Sequence, residues 1–150
     1  MRIVALLLAL LASLPVQAQA PRRDLAADER CGGHTVSRHV GKTNRELSDR
    51  LRKEPDIAAA STYFDLQTAE TVVGAALAKE QKRVAAWSAQ RGPRPNLALR
   101  YTSENNKIIG RSWVRGRIAP NGCTQAVIVL RWDVQRVAFC VLTSYPEVGK

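Results

Sequence analysis

Apolar residues recur at three- and four-residue steps between positions 66 and 87. This spacing predicts an α-helix that buries one face. A shorter helix is predicted over 44–53, where Leu47 and Leu51 lie one turn apart and can form a buried stripe. The sequence TNRE at its start has the pattern of a capping box, which satisfies the first backbone donors of a helix. Helices therefore dominate the first part of the chain.

After residue 96 the period of the apolar positions changes from 3.6 to 2. Leu97, Leu99 and Tyr101 alternate with Ala98 and Arg100, which predicts a β-strand. Three further strands are predicted within KIIGRSWVRGRI, TQAVIVLRW and VAFCVLTSY. Helices followed by an antiparallel meander of about four strands predict an α+β fold, with the helices packed on the sheet.

The chain begins with MRIVALLLALLASLPVQAQA, which combines an early arginine, a short apolar run and small residues near its end. This is the pattern of a secretory signal peptide, and the apolar run is too short to span a bilayer. Cleavage can fall after Ala18 or after Ala20, and we expect Ala18 because proline at the first mature position is a poor substrate for signal peptidase. Residues 1–18 are then a signal peptide, 19–30 a loose polar leader and 31–150 one folded domain. The mature protein is then secreted or periplasmic, without stable membrane insertion.

The chain is strongly basic, with 23 Lys and Arg against 13 Asp and Glu and a net charge of +10. Removal of the signal peptide takes away Arg2 and leaves a net charge of +9. Such a charge favours polyphosphates, anionic membrane surfaces or acidic proteins as partners. The alternative is a basic surface that only keeps the protein in solution.

Three cysteines, Cys31, Cys123 and Cys140, are present. In an oxidising compartment they predict one disulfide and one free thiol, and the spacing does not say which pair forms. With no C-x-x-C spacing and two histidines in the chain, a zinc site is not expected. The sequence predicts neither a metal nor a cofactor.

The two histidines, His34 and His39, are five residues apart in GGHTVSRHVGK, directly before the predicted helix at 44–53. Imidazole exchanges protons near neutral pH, so the pair indicates an acid–base site. The alternative is that one histidine caps a short helix and the other packs against the protein. Five residues along a helix correspond to a rotation of about 140°, so at most one should face a given site unless the chain turns between them.

Arg50 lies beside the stripe formed by Leu47 and Leu51 and is expected to lean toward the sheet. Its planar guanidinium suits a phosphate, because it can hold two oxygens at once. In the alternative interpretation the aliphatic stem of Arg50 merely covers the leucines.

Thr143 and Tyr145 are two residues apart in the last predicted strand, so both should point to one face. Simple alternation assigns them to the face of Val137, Phe139 and Val141. Hydroxyl groups at that point can bind phosphate oxygens or the edge of a base. Ordinary polarity at the end of a strand is the alternative.

Three blocks of the sequence, GGHTVSRHVGKTNRELSDRL, AASTYFDLQTAETVVGAAL and VLTSYP, together resemble the bacterial RNase A-like domain. That domain forms the toxic C-terminus of contact-dependent growth inhibition proteins and other polymorphic toxins. The resemblance extends from Cys31 to Pro146, with the blocks in the order and spacing of the family. It implies a fold similar to that of pancreatic-type ribonuclease and cleavage of RNA without a metal.

The resemblance implies a catalytic site formed by His39, His34, Arg50, Thr143 and Tyr145, in which His39 is preferred over His34 as the catalytic histidine. It also implies an RNA substrate and a cognate immunity protein as partners. The chain departs from the usual setting of the family through its own signal peptide and its three cysteines.

The predicted function is therefore an exported endoribonuclease that acts as an antibacterial toxin and leaves a 2′,3′-cyclic phosphate. The alternative is a non-catalytic basic protein of the periplasm or cell surface that binds nucleic acid or another anionic partner. A cationic protein that acts on membranes is less favoured, because no long amphipathic stretch carries a continuous basic face.

Overall fold

The computed structural model describes residues 21–149, and the predicted signal peptide lies outside them. The helices of this part of the chain are α1 (Leu25–Arg30), α2 (Thr35–His39), α3 (Asn44–Lys53), α4 (Leu66–Lys79) and α5 (Gln81–Ser88). The strands are β1 (Ala59–Tyr63), β2 (Leu97–Thr102), β3 (Gly110–Val114), β4 (Asn121–Cys123), β5 (Gln125–Asp133) and β6 (Ala138–Glu147), and a short 3-10 turn occupies Glu104–Asn106. No helix in these 129 residues is long and apolar enough to cross a membrane.

The strands form two antiparallel sheets of three strands each, in the orders β1-β3-β4 and β2-β5-β6. The α+β class is confirmed, but the predicted single meander is corrected, because β3 pairs with β1 and not with β2 or β5. Strands β1 and β4 were not predicted from the sequence. With five and three residues, these strands are too short to show a clear period, and they are defined by their pairing with β3.

The main core lies between the β2-β5-β6 sheet and the helices α1, α4 and α5. Leu130 and Val141 from the sheet, Val73 from α4 and Leu25 from α1 are all fully buried there. Each buried aliphatic side chain stabilises the fold by about 1.5–3 kcal/mol relative to exposure. This core holds β6, the strand that carries two of the predicted site residues.

Helix α3 begins with the predicted capping box. The Thr43 hydroxyl accepts a hydrogen bond from the Glu46 backbone N–H at 3.2 Å, and the Glu46 carboxylate accepts one from the Thr43 N–H at 2.7 Å. Leu47 and Leu51 form the buried stripe and pack against Ala60 of β1 in a small separate cluster. Helix α3 is therefore held on β1, next to its sheet.

The predicted single helix over 66–87 is two helices, which separate at Glu80. Apolar positions continue across the break because α4 and α5 pack against the same core. In α5, after the break, Trp87 meets Trp132 of β5 edge to face, with 6.0 Å between the ring centroids. The periodic pattern thus predicted which residues are buried in the core but not the break between the two helices.

The prediction of a loose leader over 19–30 is wrong for its last six residues, which form α1. Leu25 is the single large apolar side chain of this segment, and it is completely buried. The buried carboxylate of Asp28 accepts hydrogen bonds from the Arg23 guanidinium at 2.6 and 2.9 Å and from the Val141 N–H at 3.0 Å. One apolar anchor and one ion pair therefore dock a segment whose composition is mostly polar.

One disulfide and one free thiol are present in the described part of the chain, as predicted. Cys31, at the end of α1, is bonded to Cys140 of β6. Cys123 is buried, and its burial raises the pKa of the thiol to about 11, so this cysteine is protonated and poorly reactive at neutral pH.

The double substitution Cys31→Ala/Cys140→Ala should lower the free energy of unfolding by about 4 kcal/mol, because the disulfide closes a loop in the unfolded chain. The two cysteines are 109 residues apart in sequence. Urea denaturation of the purified proteins measures the change. Cys123→Ala is the matched control, since it removes a buried thiol without removing a cross-link, and it should lower stability by about 1 kcal/mol. Equal losses in both variants would contradict the prediction.

Candidate active site

A cleft of about 470 Å³ opens between α2, α3 and the two sheets. Its walls come from α2, α3, β1, β3 and β6, and from the loop that joins α3 to β1. The five residues that the sequence analysis selected all line this cleft: His34, His39, Arg50, Thr143 and Tyr145. Residues more than 90 positions apart in sequence therefore share one space.

His39 is the last residue of α2 and is 7% exposed. Its Nδ1 lies 3.0 Å from the carbonyl oxygen of Ser61 in β1. Because a carbonyl only accepts, Nδ1 carries the hydrogen and Nε2 keeps the lone pair. Burial, with help from the nearby positive charge of Arg50, lowers the pKa of His39 to about 4. His39 is thus a neutral imidazole at neutral pH, able to accept a proton at Nε2.

His34 also lines the cleft, at the N-cap of α2. Its backbone N–H donates to the Leu142 carbonyl of β6 at 3.0 Å. Burial and the positive charge of Arg38 lower the pKa of His34. The expected 140° rotation does not separate the two histidines, because the backbone of His34 is not helical and the chain turns there.

Arg50 lies in the last turn of α3, and its side chain is 19% exposed. Its Nε donates to the Glu54 carboxylate at 3.3 Å. Its Nη1 is buried and has no hydrogen-bond partner among residues 21–149. A buried N–H without a partner is costly, so a bound anion such as phosphate would stabilise this group.

A β-bulge changes the face to which the end of β6 points. Val129 of β5 pairs with Thr143, and Leu130 pairs with Val141, so that Leu142 is an extra residue on β6. Since Val129 and Leu130 are neighbours on one strand, their partners lie on opposite faces of the sheet. The prediction that Thr143 shares the face of Val141 is therefore wrong.

The bulge moves the two hydroxyl side chains from the core face to the cleft. Thr143 and Tyr145 still share a face with each other, as their spacing predicts. The Oγ1 of Thr143 is buried and has no hydrogen-bond partner in the described part of the chain. The ring of Tyr145 lies 5.4 Å from the ring of His39, tilted by 36°. Without the extra residue, both hydroxyl groups would point into the apolar core.

Two further residues that line the cleft, Ser61 and Arg38, and Glu54 beside it were not found from the sequence. Ser61 orients His39 through its backbone carbonyl. A contact made by the backbone does not depend on the type of side chain, so the sequence could not indicate it. Arg38 lines the cleft, and both Arg38 and Arg50 contact the Glu54 carboxylate. The segment AASTY lies between the end of one helix and the cap of the next, and this position was the available signal for the strand that carries Ser61.

Within residues 21–149, Asp28, Cys31 and Cys140 bring three atoms of metal-ligating type close together. Both cysteines of this group form the disulfide. Their sulfur atoms are therefore not thiolates and do not offer the ligands that a metal such as zinc prefers.

An α+β fold that places a neutral imidazole, a guanidinium and two hydroxyl groups on one cleft is suited to chemistry on a phosphodiester. Residues 33–146 match the family model described as Bacterial CdiA-CT RNAse A domain. The chain belongs to this family, and it is therefore a toxin nuclease domain of the ribonuclease type.

Among solved structures, the chain is similar to one described as a CdiA-CT/CdiI complex from Y. kristensenii. The two sequences are 30% identical, the TM-score is 0.67, and the match covers 77% of this chain and 99% of the other. A comparison with curated proteins gives no significant match. The structural match supports the fold and the family.

The low pKa of His39 predicts how stability depends on pH. The folded-state pKa of about 4 lies below the unfolded value near 6.5, so the unfolded chain binds the extra proton first. Above pH 6.5, His39 therefore leaves the free energy of unfolding unchanged. As the pH falls from 6.5 to 4, it lowers the free energy of unfolding progressively, by about 3 kcal/mol in total.

Urea denaturation at several pH values should show that His39→Gln weakens this acid-dependent loss of stability. His34→Gln is the matched control, and it should change the pH profile less because His34 is more exposed. NMR of the imidazole should also show His39 neutral at pH 5. A His39 that titrates near 6.5 would contradict the assignment.

Proposed function

We propose that the protein is an exported, metal-independent endoribonuclease that cleaves RNA through a 2′,3′-cyclic phosphate and acts as an antibacterial toxin. The observation that carries this proposal is the combination on one cleft of a neutral imidazole with two buried polar atoms that lack partners among residues 21–149. These are His39, the Nη1 of Arg50 and the Oγ1 of Thr143. Family membership supports the same reaction class.

The reaction needs a base, and RNA supplies its own nucleophile in the 2′-hydroxyl beside the scissile phosphate. In the proposed step, the Nε2 of His39 removes the 2′-hydroxyl proton while the 2′-oxygen attacks phosphorus. The hydrogen bond to Ser61 keeps the imidazole in the tautomer that has a free Nε2. The cyclic phosphate forms as the bond to the 5′-oxygen breaks.

Negative charge grows on the non-bridging phosphate oxygens during the attack. The Nη1 of Arg50 and the hydroxyl of Thr143 are donors already in place on the cleft, with no internal partner in the described chain to give up. Preorganised donors of this kind typically contribute about a hundredfold to a thousandfold in rate. Their lack of partners is thus part of the proposed mechanism.

The departing 5′-oxygen must receive a proton. His34 and Tyr145 both line the cleft and carry a group able to donate one. His34 does so as imidazolium, and a bound phosphate favours that form by offsetting the positive charge of Arg38. Tyr145 would do so through its phenol. The single substitutions His34→Ala and Tyr145→Phe distinguish the two. The substitution that removes the acid should slow cleavage of a substrate with a poor leaving group more than cleavage of a substrate with a good one.

The net charge of the protein suits a polyanionic substrate. Arg38 and Arg50 lie on the cleft itself, and the whole chain has an excess of ten basic residues. Binding that releases counterions weakens as salt rises. DNA has no 2′-hydroxyl and should resist cleavage.

Each of the substitutions His39→Ala and Arg50→Ala should lower the rate of RNA cleavage about a hundredfold or more, through loss of the base or of charge stabilisation. The measurement uses purified mature protein, RNA and EDTA, with the 2′,3′-cyclic phosphate ends detected directly. Arg45→Ala is the matched control on the same helix, since the side chain of Arg45 is 92% exposed.

A cleavage rate that stays near that of the unmodified protein in both variants would show that the site is misplaced. Tight binding of intact RNA, without cleavage by the unmodified protein, would favour a non-catalytic binding protein. Loss of cleavage in EDTA that added Mg²⁺ restores would overturn the metal-independent mechanism.

An immunity protein is the expected partner of the toxin. The similar structure is a complex of a CdiA-CT with a CdiI, which supports such a partner for this chain. A basic cleft favours an acidic partner surface, since complementary charges accelerate and direct association. Purified immunity protein should stop RNA cleavage in the assay described above, and unchanged cleavage would argue against this role.

Export is the remaining part of the proposal, and it rests on the apolar run and small residues of the first 20 positions. Protein recovered from the periplasm or the medium should begin at Gln19, as measured by mass spectrometry of the intact chain. The substitution Leu7→Arg interrupts the apolar run and should block export. A full-length chain that begins at Met1 in the cytoplasm would contradict the assignment.

A further inference from the structure

Glu147 is the one acidic residue among the described residues that line the cleft. An anionic side chain is unexpected in a cleft that binds a polyanion, because like charges repel. The carboxylate is only partly exposed, with 27% of the side chain accessible. We therefore expect the Glu147 carboxylate to bind a hydrogen-bond donor in this cleft.

The position of Glu147 follows from the register of β6. Thr143, Tyr145 and Glu147 lie at alternate positions after the bulge, so they point to the same face of the sheet. At about 3.4 Å per residue, Glu147 lies about 14 Å along the strand from Thr143, with Tyr145 between them. If the phosphate is held at Thr143 and Arg50, Glu147 lies further along the cleft, where the attached nucleoside extends.

The known contact of Glu147 does not account for its place in the cleft. One of its oxygens forms an ion pair with Arg100 of β2. Arg100 pairs with Val127 of β5, and Val127 pairs with Tyr145 of β6. The Arg100 side chain is 70% exposed, and pairs of this type contribute little to stability. The same weak pair could form at any open position of the sheet.

We propose that Glu147 contacts the base of the nucleotide whose 2′-hydroxyl attacks, and that it selects cytosine over uracil at this position. This inference rests on the proposed ribonuclease function. An ionised carboxylate can only accept hydrogen bonds. At position 4 cytosine presents an amino donor and uracil a carbonyl acceptor, so a carboxylate that faces this position accepts a hydrogen bond from cytosine and repels the uracil carbonyl.

Other residues that line the cleft suit a base without discriminating between cytosine and uracil. Ser112, which pairs with Ser61 across the sheet, is buried and lines the cleft. Its hydroxyl can donate or accept. The aromatic ring of Tyr145 offers a stacking surface for a base. Discrimination therefore falls to Glu147, which accepts and cannot donate.

The test is a binding measurement that does not depend on cleavage. Two 2′-deoxy dinucleotides, deoxycytidine–deoxyadenosine and deoxyuridine–deoxyadenosine, differ only along the edge formed by positions 3 and 4 of the first base. At this edge cytosine has an acceptor nitrogen and an amino group, whereas uracil has an N–H and a carbonyl. Neither compound can be cleaved by the proposed reaction. NMR titration of the protein should give about tenfold or greater preference for the deoxycytidine compound, the size expected for one charge-assisted hydrogen bond.

Glu147→Gln is the decisive variant. Its amide can donate to the uracil carbonyl, so the preference should fall to near one or reverse. Arg100→Ala is the matched control, since it removes the partner of Glu147 but keeps the carboxylate, and the preference should remain. Equal affinity for both compounds, or an unchanged preference in Glu147→Gln, would overturn the proposal and leave Glu147 as a partner of Arg100 only.

Cleavage of the matching ribonucleotides separates this inference from the proposed function. Faster cleavage after cytidine than after uridine supports both. A binding preference without any cleavage supports the role of Glu147 and contradicts the ribonuclease. Equal binding together with equal cleavage supports the ribonuclease and contradicts the role of Glu147.

Discussion

The site depends on the hydrogen bond from the Nδ1 of His39 to the carbonyl of Ser61. It joins α2 to β1, fixes the imidazole tautomer and leaves Nε2 as the proton acceptor. Burial at this position removes water from the ring and lowers the pKa of His39 to about 4, so that the proposed base is uncharged at neutral pH. The tautomer and orientation of the proposed base thus follow from this contact, and its charge state follows from its burial.

The unpartnered polar atoms give the cleft its electrostatic character. The Nη1 of Arg50 and the Oγ1 of Thr143 are desolvated on folding and are not compensated by hydrogen bonds within the described chain. The fold can tolerate them because the main core, the small cluster of α3 with β1, and the disulfide hold their elements in place. These contacts stabilise the fold, so the two donors remain available for an anionic substrate. Such a cleft is consistent with the toxin nuclease family to which the chain belongs.

Much of the fold could be predicted where a signal is local. The capping box at Thr43 and the stripe of Leu47 and Leu51 determine α3, because each contact spans only three or four residues. Strand β1 could not be assigned in this way, since its partner β3 lies about 50 residues later. The docking of α1 was also hidden, because it depends on one leucine and on the buried carboxylate of Asp28.

The sequence by itself determined which chemical groups are available, namely two histidines in one short segment, an arginine on the next helix and two hydroxyl groups two residues apart. Tertiary structure decided where those groups point. The extra residue at Leu142 turns Thr143 and Tyr145 away from the core and toward His39, and the non-helical backbone of His34 brings both histidines to one cleft. A one-residue shift reverses the faces of a strand, and strand pairing across the sheet, not local spacing, sets that shift.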